Sequence, residues 1–178
     1  MGEGGVKSHM SFPYKLIDLT HILDKNVPTW NGTCGFHHEM QLDYSDCEGE
    51  EKFRVMKMRM HAGIGTHMDA PSHCIPGGKC IHEIDVNELC MPCVVIDVSS
   101  KMHERYSVTI EDMMAFEDQY GPIHPGSCVM IKTGWERFWN QPTQYHNNHI
   151  FPSVTRSAAQ LLVERGVSAL GIDTLSPD

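Results

Sequence analysis

The chain has 178 residues, 40% of them hydrophobic and 21% charged, which suits a folded chain with one core and is too short for two comfortable domains. With 23 acidic against 14 basic residues its formal net charge is −9, which excludes phosphate backbones and anionic membrane surfaces as natural partners. No stretch approaches the roughly 20 consecutive apolar residues of a membrane span.

The first ten residues, "MGEGGVKSHM", lack the apolar stretch of a secretory signal and read as a disordered leader or cloning remnant, leaving residues 11–178 as a single domain. "KLIDLT" (15–20) is a short apolar run and is predicted as a strand. "VPTWNGT" follows as a loop, marked by Pro28, Asn31 and Gly32. "HHEMQLDYS" (37–45) and "FRVMKMRMH" (53–61) alternate apolar with polar residues and predict two half-buried strands, with the acidic link "DCEGEE" as a hairpin loop. "VVIDVS" (94–99) is continuously apolar and predicts a strand buried on both faces. "SVTIEDMMAFEDQYG" predicts a helix capped by Thr109, with acids in its first turn and a stop at Gly121-Pro122. "SCVMIKTG" (127–134) is another buried strand, "SVTRSAAQLLVERG" (153–166) an amphipathic helix, and "VSALGIDT" (167–174) a last strand. The fold class is therefore α/β. A strand-rich, antiparallel first half precedes a β-α-β-α-β second half with parallel pairing.

Seven cysteines are an odd count, and a secreted disulfide framework prefers an even one in a smaller chain. "CMPC" (90–93) has redox or zinc spacing. No second CxxC exists, however, and Cys93 opens an apolar strand, so the plain inference is reduced thiols in a cytoplasmic protein.

The chemistry concentrates in "GTHMDAPSH" (65–73), which places two histidines and an aspartate within seven residues. Gly63, Gly65 and Pro71 forbid a regular helix there. In an extended segment residues i and i+2 point to one side, so His67 and Asp69 can offer an imidazole and a carboxylate to one divalent cation. His73 returns four residues later, beside such a site. The alternative is a loop with ordinary surface histidines.

This segment resembles the signature of the cyclase family, which includes bacterial kynurenine formamidases and isatin hydrolases and reads H-x-G-T-H-x-D-x-P-x-H. Gly65, Thr66, His67, Asp69, Pro71 and His73 fall in place, and "IDLTH", "VPTWNG", "VMIKTGW" and "GIDTLSPD" resemble further family segments in order and spacing. The resemblance implies a swivelling β/β/α-like architecture and metal-assisted hydrolysis of an amide in a small aromatic substrate, such as N-formylkynurenine. It implies His67 and Asp69 as ligands of a divalent metal, zinc or manganese, and His73 as general acid/base. A homodimer with loops crossing between subunits is also implied. Trp30 and Trp135 are candidates for the wall of a pocket for a flat substrate, or for ordinary packing.

Two departures stand out. The family's leading histidine, four residues before His67, is Gly63 here. His61 could swing back through a bend at residues 62–65 to replace it, or could simply end its strand; His37 or His38 is a weaker substitute. The chain also stops at Asp178, where family members continue and add a histidine and a glutamate. That implies either a fragment or a single metal position, and an apolar face around residues 167–172 open to another chain. Alternatives to the arylformamidase-like reading are a same-fold hydrolase of a cyclic amide or lactam, and a non-catalytic truncated relative that binds a ligand or partner.

Overall fold

The computed structural model describes residues 13–178, so the expected leader lies outside the described residues. A hairpin comes first: β1 (Phe36–Leu42) pairs antiparallel with β2 (Val55–Met60), the register running from Phe36 opposite Met60 to Leu42 opposite Val55. The intervening link carries a single 3₁₀ turn capped by the Asp43 carboxylate. The second half is built on β3 (Cys93–Asp97), β5 (Cys128–Lys132) and β7 (Ala169–Ile172), a parallel sheet in the order β3-β5-β7. Between these strands lie β4 (Ser107–Val108), α1 (Ile110–Tyr120), α2 (Pro142–His146), β6 (Ser153–Val154) and α3 (Arg156–Glu164). β4 and β6 form a second, two-residue parallel pair. No helix among the described residues is long and apolar enough to cross a membrane.

The helices end where local chemistry says they should. Asp112 accepts from the Thr109 backbone N–H at 2.8 Å, closing a capping box at the start of α1, and Gly121 stops the helix at φ 92°. α3 is shorter than its periodicity predicts, because Ser153 and Val154 are drawn into β6 and Thr155 becomes the cap, its hydroxyl accepting from Ala158 N. Both helices cover one face of the parallel sheet. Ile96, Val98, Val108, Met113, Ile123, Val129, Ile131, Ala158 and Leu162 form the main core there. Side chains such as Val129 and Met113 each contribute roughly 1.5–3 kcal/mol by leaving water. Arg165 and Glu117 clamp α1 to the end of α3 through two parallel hydrogen bonds of 3.0 Å.

Three expectations are corrected. Residues 15–20 form no strand: Leu16, Ile17 and Leu19 are exposed, and no strand edge pairs with them. The hairpin strands are amphipathic as predicted but not half-buried. Phe36, His38 and Met40 face Met60, Met58 and Met56 across the register, and Met58 is still 65% exposed. Residues 94–99 are buried on one face only, since Val95 and its register partner Met130 lie on the side away from the helices. Ile172 of the last strand and Val167 just before it pack against the core, while Leu170 is exposed.

Candidate active site

The segment that follows β2 is held by backbone and glycine geometry. His61 N–H donates to the Gly35 carbonyl at 3.0 Å, which ends the hairpin. Gly65 then turns the chain at φ +64°, where a Cβ would come within 2.3 Å of Leu23 Cδ2, so only glycine serves. Ile64 is buried with Val27 and Phe36. Thr66 accepts from His21 N at 3.0 Å, tying residue 21 to the motif. Extended backbone at Ala70 leads into the short 3₁₀ turn Pro71–His73.

Along this stretch the i, i+2 geometry brings two donors together. His67 Nδ1 lies 2.9 Å from the Gly65 carbonyl, which can only accept. The Nδ1–H therefore donates, which selects the tautomer whose lone pair is on Nε2. That nitrogen lies 3.6 Å from Asp69 Oδ2. The separation is too long for a hydrogen bond. It matches the spacing of two ligands of one ion, which for bonds of about 2.0–2.2 Å is roughly 3–3.6 Å. An imidazole lone pair facing a carboxylate across such a gap is a donor set for a divalent cation, so these residues fit the implied metal. His73 Nδ1 stands 4.0 Å from the other oxygen of Asp69, within the span of a bridging water. The side chains of His67, Asp69 and His73 are 32%, 51% and 66% exposed, so the site is open to solvent. Two surface clefts of about 480 and 310 Å³ flank α2, and neither is lined by these three residues.

His61 does not join them. Its Nδ1 sits 3.2 Å from where a Cβ on Gly35 would stand, against the start of the hairpin. Among the described residues no three His, Cys, Asp or Glu side chains gather closely enough to hold an ion. The bend at residues 62–65 is spent on burying Ile64, not on returning His61. His37 and His38 alternate on β1, opposite Arg59 and Met58.

The two tryptophans separate. Trp135 is 4% exposed; its Nε1–H donates to the Tyr145 carbonyl at 2.9 Å, and it packs with Tyr145 and Phe151. It is a packing residue with no face left for a substrate. Trp30 is 51% exposed and stacks on His149 at 4.1 Å between centroids. Its carbonyl accepts from both His146 Nε2 and His149 Nε2, at 2.8 and 2.7 Å. The turn that delivers these imidazoles is left-handed at Asn147, Asn148 and His149, with φ of 40°, 53° and 62°. The pair of asparagines in "HNNH" was the sequence signal for it, since asparagine tolerates that region.

Asp173 also escapes a reading of the sequence alone. It lies just past β7, and its carboxylate accepts from Thr133 N and Oγ1 (2.9 and 2.7 Å), Gly134 N (2.7 Å) and Trp135 N (3.1 Å). It thereby fixes the "TGW" turn beyond β5. Burial pushes the Asp173 carboxyl up, but hydrogen bonds from Glu136, Thr133 and Gly134 outweigh it and hold it below the ordinary carboxylate range. The neighbouring Glu136 is raised, by its hydrogen bond to Asp173 and by desolvation.

A family model described as cyclase matches residues 17–178. The chain belongs to the cyclase family. Its relatives there are hydrolytic enzymes. A kynurenine formamidase of Bacillus cytotoxicus is 26% identical over 168 residues, covering 91% of this chain and 69% of the relative. Isatin hydrolase A from Ralstonia solanacearum superposes with a TM-score of 0.79 at 27% identity, over 91% of this chain and 67% of that one. Isatin hydrolase A from Labrenzia aggregata, bound to benzyl benzoate, gives 0.76 at 26% identity over 91% and 68%. This cyclase thus spans about two thirds of the length of those relatives, and the mixed α/β architecture is theirs.

Proposed function

We propose that this cyclase is a metal-dependent amidohydrolase acting on a small aromatic amide, arylformamidase-like, converting N-formylkynurenine to kynurenine and formate. The observation that carries the reading is the convergence of His67 Nε2 and Asp69 Oδ2 at 3.6 Å, with the His67 tautomer set by Gly65. Kinship with a kynurenine formamidase supports the substrate class. A divalent ion, zinc or manganese, would be held by His67 and Asp69 and would polarise the scissile carbonyl and acidify a water. His73 would take the proton as the water oxygen adds to the formyl carbon, and return it to the arylamine nitrogen as the C–N bond breaks. Asp69 faces both histidines, Oδ2 at 3.6 Å from His67 Nε2 and Oδ1 at 4.0 Å from His73 Nδ1. Trp30, exposed and clamped by His146 and His149, is the aromatic surface offered to the substrate ring. The reading includes a cytoplasmic homodimer, supported by seven unbridged cysteines and the uncovered methionine face of the hairpin.

A second reading, hydrolysis of a cyclic amide, is favoured by the similarity to the two isatin hydrolases. Assaying N-formylkynurenine and isatin side by side, with added Zn²⁺ or Mn²⁺, separates the two. Formamide hydrolysis is expected, falling about 10²–10⁴-fold in His73→Ala and to background in His67→Ala and Asp69→Ala. Full activity in His73→Ala would remove its proton-transfer role. Turnover of isatin alone would select the second reading.

A further inference from the structure

The "CMPC" motif takes no part in the site described above, and the fold gives its second cysteine a partner outside the motif. Cys93 is the first residue of β3 and stands in register with Cys128, the first residue of β5, on the adjacent parallel strand. Two residues further along each strand, Val95 and Met130 lie on the face away from the helices, so by alternation the two thiols share that face. Neighbouring strands run about 4.7–4.9 Å apart, inside the roughly 4.4–6.8 Å between Cα atoms that a disulfide spans. β3 ends the sheet order β3-β5-β7, so its first residue can shift to close the gap between the Cβ atoms. Cys93 Sγ rests on the Val94 carbonyl at 3.7 Å, a weak contact that side-chain rotation releases. Cys90 closes the 3₁₀ turn Val86–Leu89, ahead of the strand and outside this register. The two paired thiols differ in access: Cys93 is exposed and Cys128 is buried. Burial, and then the Cys93 thiol beside it, push the Cys128 pKa up, so Cys128 keeps its proton and an oxidant in solution meets Cys93 first.

We propose that Cys93 and Cys128 form a reversible oxidation site for peroxide, with Cys93 the reacting thiol and Cys128 the resolving one. The Cys93 thiolate attacks one oxygen of hydrogen peroxide, the O–O bond breaks, hydroxide leaves, and Cys93 becomes a sulfenic acid. The Cys128 sulfur then attacks the Cys93 sulfur. The S–S bond forms as the sulfenic hydroxyl leaves with the Cys128 proton as water. In sum two thiols are oxidised to one disulfide and one peroxide is reduced to two waters. A thiol of the glutathione class reverses the step by exchange, as a reducing compartment requires. The bond ties β3 to β5 across residues 94–127, which include α1, and it stops Cys93 short of the irreversible sulfinic acid. None of this depends on the metal reading.

The test is peptide mass spectrometry of the intact chain after mild treatment with hydrogen peroxide, the remaining thiols being blocked before digestion. Trypsin leaves Cys93 on residues 80–101 and Cys128 on residues 106–132. The expected product is a disulfide joining these two peptides, reversed by dithiothreitol, retained in Cys90→Ser and lost in Cys93→Ser. In Cys128→Ala, Cys93 should run on to the sulfinic acid at a peroxide dose that gives the unaltered chain only the disulfide. Circular dichroism confirms the fold of each variant. A bond from Cys93 to Cys90, or a link between the two peptides that survives in Cys93→Ser, would overturn the proposal. So would an unaltered chain in which Cys93 reaches the sulfinic acid with Cys128 still free, or in which exposed Cys34 and Cys74 are oxidised and Cys93 is not.

Discussion

Replacing Asp173 with asparagine tests the keystone between the ends of β5 and β7. The carboxylate receives two donors on each oxygen: Thr133 N and Oγ1 on Oδ1, Gly134 N and Trp135 N on Oδ2. Asparagine keeps one oxygen. Its amide NH₂ must then face one of these two donor pairs, losing two bonds and setting donor against donor. Bonds to a charged acceptor are worth about 1.5–3 kcal/mol each, so Asp173→Asn should cost about 3–5 kcal/mol. A domain of this kind holds only about 5–15 kcal/mol in all. With a urea m-value of about 1–3 kcal/mol/M, the unfolding midpoint should fall by more than about 1 M. Thr133→Val removes the hydroxyl bond donated to Asp173 and the longer one accepted from Trp135 N, and should cost about 1–2 kcal/mol. Equilibrium urea unfolding followed by tryptophan fluorescence reads both, because Trp135 sits on the turn that Asp173 holds. An Asp173→Asn midpoint within 0.3 M of the unaltered chain, roughly the effect of one surface contact, would refute the reasoning.

Glu117→Gln should cost about 1.5–3 kcal/mol at pH 7 by breaking the fork with Arg165. Arg165 holds the Glu117 carboxyl low, so this stabilisation is present above the ordinary glutamate pKa and lost as pH falls through the lowered value; the urea midpoints of the two proteins should converge as the pH is taken below the ordinary glutamate range. Glu136 is raised in the folded chain, first by its hydrogen bond to Asp173, so its contribution is present at acid pH and lost as pH rises through the raised value. Glu136→Gln, which keeps a donor toward Asp173 at every pH, should therefore raise Tm at pH 7.5 and leave it unchanged at pH 4.

The elements that sequence exposed are those whose signals are local. Thr109 and Asp112 announce the start of α1 and Gly121 its end, and alternation in residues 37–42 and 55–60 announces the hairpin. What failed depended on partners elsewhere in the chain. Residues 15–20 have strand composition but no edge to pair with, and the Met40, Met56 and Met58 face has hydrophobic alternation without a covering layer. The site divides in the same way. The i, i+2 spacing of His67 and Asp69 is a backbone property and was readable, whereas the seat of His61 is decided by Gly35, 26 positions away, just before the first strand of the hairpin. Trp135 and Trp30 look alike in sequence. Tyr145 and Phe151 bury the first, and His146 and His149 hold the second by its carbonyl. Asp173 carried no signal beyond its type, since its donors come from residues 133–136, about 40 positions away in the chain.

The proposed mechanism requires His67 and Asp69 together to hold a divalent ion. Equilibrium dialysis against Zn²⁺ and Mn²⁺, followed by elemental analysis of the protein, measures this without reference to any substrate. One ion per chain is expected in the unaltered protein and in His73→Ala, and none in His67→Ala or Asp69→Ala at the same free metal concentration. An unaltered chain that retains no ion, or variants at His67 and Asp69 that retain as much as it does, would show that these residues are not the metal ligands.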